Sequence, residues 1–245
     1  MVITAQLWIF TQTDDWEIQC PDLLRGLAEA GYAAVEGMFG QAPRDRETRQ
    51  AAGIAYGAAH LLPSNLEALE PLTDFLHAMD ARHVCCSGPL QWHERTADDY
   101  RRTAAFLNEK GRRLRQQEIR LHYHNHEFEF EKVEGEQIAM DLLLSELDPD
   151  FVTLCFDAGW AQRAGQNAAA FLREHGPRIA FLHLRDFRVA QSVPLGQGEI
   201  DLPAQIALLP HLPNLEFLVV EQDPSPNPLA DMQASRRYLR DTFGL

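Results

Sequence analysis

Short apolar runs alternate with longer amphipathic stretches along this 245-residue chain. Eight of the runs have the length and composition of buried strands, whereas the stretches between them repeat apolar or small residues three and four positions apart, as helices do. One such stretch has these positions at Tyr100, Ala104, Leu107, Gly111 and Leu114. The predicted strands are Ile3–Ile9, Ala33–Glu36, Ile54–Ala59, His83–Cys86, Ile119–His124, Val152–Asp157, Ile179–Leu184 and Phe217–Glu221.

The connections between these strands predict the fold. Each is long enough to contain a helix, and parallel strands need such crossovers. Eight strand–helix units in residues 1–245 predict an α/β protein, a single-domain (β/α)8 TIM barrel with its active site at the C-terminal ends of the strands. A doubly wound open sheet is the alternative. Such sheets normally have a glycine-rich turn after the first strand, and QLWIFTQTDDW (Gln6–Trp16) contains no glycine.

Charge and composition narrow the classes of partner. The formal net charge of −14 argues against nucleic acid, because proteins that bind a phosphate backbone present clustered Lys and Arg. No run approaches the roughly 20 apolar residues of a membrane span, and MVITAQLWIF lacks the features of a signal peptide. The sequence therefore predicts a cytoplasmic protein with a small-molecule substrate, no nucleic-acid or membrane partner, and buried, reduced cysteines. A homo-oligomer stays open.

Polar side chains recur where the late strands end. His124 ends the fifth predicted strand, Asp157 the sixth and Glu221 the eighth, and His183 lies in the seventh. In a closed barrel all four would meet at one mouth, where two imidazoles and two carboxylates suit one divalent metal ion such as Mn²⁺, Co²⁺, Zn²⁺ or Mg²⁺. Taken singly, each has an ordinary structural role, for example as a hydrogen-bonded histidine or a helix N-cap.

Several stretches, in this order, resemble the xylose-isomerase-like TIM-barrel family, a group of sugar phosphate isomerase/epimerase type that shares its barrel with endonuclease IV. The stretches are YHNHEFEF, FDAGWAQRAG, FLHLRDF, PLGQGEIDLP, VVEQD and ASRRYL. The resemblance implies a carbohydrate substrate and a divalent metal on Asp157, His183 and Glu221. The fourth ligand falls on His124, where many relatives have a glutamate. The relatives include ketose epimerases, aldose–ketose isomerases, inosose dehydratases and dehydroshikimate dehydratases.

The histidine at the fourth ligand position affects the expected chemistry. Relatives with two metal-bound glutamates exchange a proton between opposite faces of an enediolate, which the metal stabilises. Here Glu221 is the predicted base on one side, and Glu199, Glu127 or Glu129 would have to act on the other. The resemblance implies first an isomerase or epimerase of a small carbohydrate, second a lyase on a cyclic polyol or keto-acid, and third a non-catalytic sugar- or partner-binding barrel. Endonuclease chemistry is disfavoured, because extra ligands for three zinc ions and a basic face are missing.

Further residues near the strand ends are candidate substrate contacts, each with a packing or surface role as the alternative. Arg185 suits a substrate carboxylate, hydroxyl or phosphate, and Asp186 is its expected ion-pair partner. Gly196 and Gly198 form a weak phosphate-loop signal, whereas the net acidity favours a neutral polyol. The predicted substrate-binding residues are Trp8, Glu36, His60, His126, Trp160 and Arg185.

Overall fold

Eight parallel strands close into a barrel in the order of the chain, each paired with its sequence neighbours and the first with the last. The structure, a computed structural model, describes residues 1–11, 16–40 and 46–245. The predicted TIM barrel is thereby confirmed. The strands are β1 (Val2–Gln6), β2 (Ala34–Met38), β3 (Ala55–Leu61), β4 (His83–Ser87), β5 (Arg120–His124), β6 (Val152–Asp157), β7 (Ile179–Leu184) and β8 (Phe217–Val220).

Helices cover the outside of the barrel between the strands. The stretch with helical periodicity forms the longest of those described, and all five of its predicted apolar or small positions are buried. None of the helices in the described ranges is long and apolar enough to cross a membrane. The helices are α1 (Trp16–Ala30), α2 (Arg46–Ala52), α3 (Leu69–Met79), α4 (Ala97–Arg115), α5 (Ala139–Glu146), α6 (Ala158–Arg163), α7 (Ala168–His175), α8 (Leu202–Ile206) and α9 (Pro228–Phe243).

The first strand is shorter than predicted. It ends at Gln6, and Leu7–Phe10 form a 3-10 turn that follows it directly. The side-chain oxygen of Gln6 accepts a hydrogen bond from the backbone N–H of Trp8, which starts the turn. The turn is apolar because Leu7, Ile9 and Phe10 are buried under the barrel wall, so hydrophobicity alone does not separate it from the strand.

Alternate residues of the strands point into the barrel and form stacked layers. The lowest layer contains His83, His122, Phe181 and Phe217, whose rings pack on one another. Two strand positions higher, Cys85, Cys155 and Val219 belong to a small buried cluster. The next inward positions on β5 to β7, and the residue that follows β8, are His124, Asp157, His183 and Glu221. The predicted ligand residues therefore form the top layer of a filled barrel.

A histidine pair in the lowest layer, His122 fully buried and His83 partly buried, makes stability depend on pH. His83 Nδ1 lies 3.0 Å from His122 Nε2, and His122 Nδ1 lies 2.6 Å from Thr153 Oγ1. Burial lowers the pKa of His83 from 6.5 to about 4, and the charge of Arg120 acts in the same direction. Glu216 Oε2 lies 3.8 Å from His83 Nε2, but this carboxylate is partly exposed and already pairs with Arg120.

We expect the free energy of unfolding to fall as the pH drops from about 6.5 to about 4, because the unfolded chain then binds a proton that folded His83 excludes. The stability is fully present above that window, and this histidine accounts for a loss of roughly 3 kcal/mol across it. Urea unfolding at several pH values would measure the loss. His83→Gln should flatten the pH dependence; an unchanged slope in this variant would contradict the assignment.

Candidate active site

Four buried side chains converge at the C-terminal mouth of the barrel. One ligand-type atom from each of His124, Asp157, His183 and Glu221 lies within 4.8 Å of those of the others. His124 Nε2 is 3.7 Å from Asp157 Oδ2 and 3.4 Å from Glu221 Oε2. The structure thus brings together the four residues that the sequence singled out as metal ligands.

His183 is oriented by carboxylates on both of its ring nitrogens. Nδ1 lies 2.6 Å from Glu221 Oε2, and Nε2 lies 3.1 Å from Glu36 Oε2. Burial disfavours the charged ring, but Glu36 and Glu221 raise the pKa of His183 to about 10. A carboxylate behind a histidine fixes the ring for ligation, and such a partner supports many metal sites.

Glu36 lies below the four-residue cluster, where its carboxylate contacts side chains of β3, β4 and β7 and does not reach solvent. It is fully buried, and its Oε1 lies 2.7 Å from His60 Nδ1. The thiol of Cys85 donates to Oε2 of the same carboxylate at 3.5 Å. Burial alone would raise the pKa of Glu36, but the imidazoles of His183 and His60 hold it well below its usual range. The direct substrate contact predicted for Glu36 does not fit this position; the carboxylate orients two histidines.

Asp157 is fixed by three groups. Its backbone N–H donates to the side-chain oxygen of Asn125 at 2.9 Å, and the Asn125 amide donates back to its carbonyl at 3.1 Å. Oδ1 accepts from the N–H of Trp160 at 2.8 Å and so caps α6. Oδ2 accepts from Arg185 Nε at 2.8 Å. The N-cap role considered for this residue is therefore real and leaves Oδ2 directed towards the cluster.

Arg185 lies in a cage of carboxylates. Besides Asp157, its guanidinium contacts Glu221 and, at 2.8 Å, Asp223 Oδ1. Burial alone would raise the pKa of Glu221, but Arg185 and the neighbouring imidazoles hold it well below its usual range. Asp186, the expected ion-pair partner of Arg185, faces elsewhere: its carboxylate accepts backbone hydrogen bonds from the glycine-containing loop after β7.

A cavity of about 350 Å³ opens above the cluster. Five of the six predicted substrate-binding residues border it, namely Trp8, His60, His126, Trp160 and Arg185. Sequence reasoning missed other lining residues, because they lie in loops or on strand positions without a distinctive pattern. These are Gln6, Met38, Leu62, Ser87, Trp92 and Asp223. Trp92 had the clearest available signal, a large aromatic residue shortly after a strand end.

The three glutamates considered as a second acid do not line this cavity. Glu199 is exposed in the loop after β7, and Glu127 pairs with Arg163 at 3.1 Å. Glu129 is fully buried and accepts from the Tyr123 hydroxyl at 2.6 Å and from the backbone N–H of His126 at 2.7 Å. Burial raises the pKa of Glu129 to about 7. Its contacts fix the turn that carries His126.

His126 presents an imidazole to the cavity. Nε2 lies 3.3 Å from Ser87 Oγ, whereas Nδ1 is buried and has no hydrogen-bond partner. The ring stacks on Phe128 and lies edge-on to Trp92. Burial holds the pKa of His126 well below its usual range, and the positive charge of His124 acts in the same direction. The ring is therefore neutral and can accept a proton, although less readily than a free imidazole.

The donor set fits a divalent metal ion. Both ring nitrogens of His124 are buried without a hydrogen-bond partner, although Nε2 faces two carboxylates. A divalent ion between Nε2 and these two carboxylates would take the place of a proton on the ring and give all three groups a partner. Two nitrogens and two carboxylate oxygens suit Zn²⁺, Mn²⁺ or Co²⁺. The structure therefore contains a cluster that can hold one such ion.

Residues 24–242 match the family model of the xylose isomerase-like TIM barrel. The chain belongs to this family. Among curated relatives in the family, an inosose dehydratase of Clostridium botulinum is 28% identical over 204 residues, which cover 69% of this chain and 67% of the relative. The family predicted from the sequence motifs is confirmed.

Several solved structures share the fold of this chain. A sugar phosphate isomerase/epimerase from Parabacteroides distasonis superposes with a TM-score of 0.83 at 19% identity, covering 97% of this chain and 93% of that one. The IOLI protein with a bound zinc atom superposes with a TM-score of 0.76 at 15% identity, covering 98% and 97%. Because dehydratases and isomerases both occur among the similar proteins, the comparisons support an enzyme family without confirming the first choice of an isomerase or epimerase.

We expect Glu36→Gln to weaken divalent-metal binding by about 10- to 100-fold, because the neutral amide no longer orients His183 as the carboxylate does. Calorimetric titration of the metal-free protein with Zn²⁺ or Mn²⁺ would measure the change. Cys85→Ala is the matched control, since it removes another contact of Glu36 and leaves the bond to His183 intact. Equal affinities for the two variants would exclude the orienting role.

Proposed function

We propose that this protein is a metal-dependent lyase that removes water from a hydroxylated ring ketone. His124, Asp157, His183 and Glu221 would hold the divalent ion, whose charge would stabilise the negative oxygen that forms when a proton leaves the carbon beside the carbonyl. The similarity to inosose dehydratases agrees with this reaction. The observation that carries the proposal is the unequal pair of proton-handling groups at the cavity.

His126 and Glu221 are these two groups, and they differ in the side chains that already engage them. Glu221 is engaged by the guanidinium of Arg185 and the ring of His183, which makes its carboxylate a weak base. His126 Nδ1 has no such partner. Proton exchange between opposite faces, as epimerisation requires, works best with two matched groups. Dehydration can use a single group that takes a proton and returns it.

We assign both proton transfers to the imidazole of His126, which borders the cavity. It removes the proton from the carbon beside the carbonyl, and it then delivers that proton to the hydroxyl leaving the next carbon. One C–H bond and one C–O bond break, a carbon–carbon double bond forms, and water departs with no net oxidation or reduction. Trp8, Trp92 and Trp160 border the cavity and would limit access of bulk water to the reacting carbons.

An isomerase or epimerase is the second candidate, because the carboxylate of Glu221 also borders the cavity. In that reaction Glu221 would act on the opposite side of the substrate from His126. This alternative keeps the same metal ligands and changes only the fate of the proton. One preparation of metal-loaded protein can therefore test both the lyase and the isomerase or epimerase.

The deciding experiment uses protein loaded with Mn²⁺, Co²⁺ or Zn²⁺ and incubated with an inosose, 3-dehydroshikimate and a panel of ketoses in deuterated water. Growth of the ultraviolet absorbance of an enone or aromatic product, with loss of water seen by mass spectrometry, is the expected result. Deuterium entering a ketose without water loss would replace the lyase by the isomerase or epimerase. No reaction with any compound in the presence of bound metal would favour a binding role.

A further inference from the structure

The loop after β7 has its backbone amides occupied by the protein itself. The carboxylate of Asp186 accepts from the N–H groups of Gly196 at 2.9 Å, Gly198 at 2.8 Å and Ile200 at 3.1 Å. A Cβ added to Gly198 would lie 2.2 Å from Asp186 Oδ1, so the loop closes tightly on this anion. TIM barrels often bind a substrate phosphate with the loops after β7 and β8. Here the carboxylate of Asp186 binds the loop amides that would otherwise be available to a phosphate.

The remaining amides of the same loop are also engaged. Leu195 N–H donates to Ser235 Oγ, Gln197 N–H to the carbonyl of Pro194, and Glu199 N–H to the carbonyl of Phe187. The segment after β8 offers few donors, because the sequence DPSPNP places a proline, which has no N–H, at positions 224, 226 and 228. The loop after β7 thus presents almost no free amide, and the segment after β8 has fewer amides than a loop of its length without proline.

The charge around the cavity also opposes an anionic substrate. Arg185 is the one Lys or Arg that lines it within the described ranges, and all three guanidinium nitrogens contact carboxylates. Four carboxylates, on Glu36, Asp157, Glu221 and Asp223, surround this region. With His124 and His183 neutral as metal ligands, one guanidinium and one divalent ion would leave a single negative charge in excess. A phosphate or carboxylate on the substrate would meet repulsion from these carboxylates and would find no unpaired Lys or Arg among the described lining residues.

The upper walls suit an uncharged ring. Three of the four tryptophans in the chain, Trp8, Trp92 and Trp160, border the cavity together with Met38 and Leu62. Aromatic faces pack well on the C–H faces of a polyhydroxylated ring, whereas the metal cluster and His126 lie below for its oxygens. The apolar wall and the polar floor therefore fit one small cyclic molecule.

We propose that the substrate is an uncharged cyclic polyol ketone that carries neither a phosphate nor a carboxylate group. This inference rests on one part of the proposed function, namely that the substrate binds in this cavity. It does not depend on which reaction follows. It separates the protein from barrels that bind a sugar phosphate through the loops after β7 and β8. The occupied amide loop, the paired guanidinium and the tryptophan walls support the same choice independently.

Binding of unreactive ligand pairs tests the inference without turnover. The probes are myo-inositol with myo-inositol 1-phosphate, and methyl glucoside with its 6-phosphate, titrated into Mn²⁺-loaded protein by calorimetry and tryptophan fluorescence. We expect each neutral compound to bind at least about tenfold more tightly than its phosphate ester. Equal or tighter binding of the esters would overturn the inference. If no compound bound detectably at millimolar concentration, the inference would also be contradicted, because an open cavity with these walls should accept a neutral ring.

Two variants that each remove one negative charge, one beside the cavity and one away from it, test the charge argument. Asp223→Asn removes the negative charge that faces Arg185 Nη1, so it should narrow the preference for the neutral member of each pair. Asp141→Asn, at an exposed position on α5, removes the same charge away from the cavity and should leave the preference unchanged. An identical preference in wild type and both variants would contradict the charge argument. Failure of the dehydration assay would refute the proposed reaction and leave this ranking standing.

Discussion

Replacing Glu221 with glutamine should weaken divalent-metal binding by at least about 100-fold and reduce turnover to background. The amide cannot supply the anionic oxygen that faces both His124 and His183. It also leaves the guanidinium of Arg185 without one of its carboxylates. Metal content after dialysis and calorimetric titration with Mn²⁺ or Zn²⁺ would measure the first effect, and the dehydration assay the second.

The neighbouring carboxylate provides the control for this prediction. Asp223 contacts the same arginine at 2.8 Å but does not belong to the four-residue ligand cluster. Asp223→Asn should therefore retain metal binding while Glu221→Gln loses it. If both variants bind metal like the wild type, Glu221 is not a ligand and the proposed centre is wrong.

Replacing His126 with asparagine should reduce turnover by about 100- to 10,000-fold while the protein keeps its metal, because general acid–base catalysis contributes effects of this size. Asparagine can still contact Ser87 but cannot accept and return a proton. Single-turnover rates, metal titrations and thermal unfolding of the variant would distinguish lost chemistry from lost structure. The KM should change less than kcat, since the tryptophan walls and the metal cluster remain.

His211→Asn is a matched substitution at an exposed position that does not line the cavity, and it should behave like the wild type. A His126→Asn variant that turns over normally would rule out this histidine as the acid/base. Loss of metal together with activity would instead indicate that His126 acts through His124, whose ring centroid lies 5.1 Å from its own.

The barrel and its layer of candidate metal ligands were predictable because both follow from local periodicity. A strand alternates its side chains, and a closed parallel barrel brings all strand ends to one mouth, so His124, Asp157, His183 and Glu221 had to meet. Where the period was ambiguous, prediction was wrong: Leu7–Phe10 is as apolar as a strand but turns.

The partners of the ligand residues were less predictable, because they depend on side-chain direction across the barrel. Glu36 has the sequence position of a substrate contact, yet its carboxylate lies below the cavity and contacts His60 and His183. Asp186 is adjacent to Arg185 in sequence, but in a strand neighbours face opposite sides, and its charge meets the loop after β7 instead. Such choices depend on three-dimensional packing that sequence spacing does not encode.

The shared carboxylate of Glu36 has a consequence for how this barrel can evolve. One of its oxygens contacts His60, which borders the substrate cavity, and the other contacts His183 in the ligand cluster. A substitution at His60 that adapts the cavity to a new ring would therefore also alter the support of a candidate metal ligand. We expect positions 36, 60 and 183 to change together among descendants of this sequence, and laboratory selection for a new substrate to recover paired substitutions at positions 36 and 60.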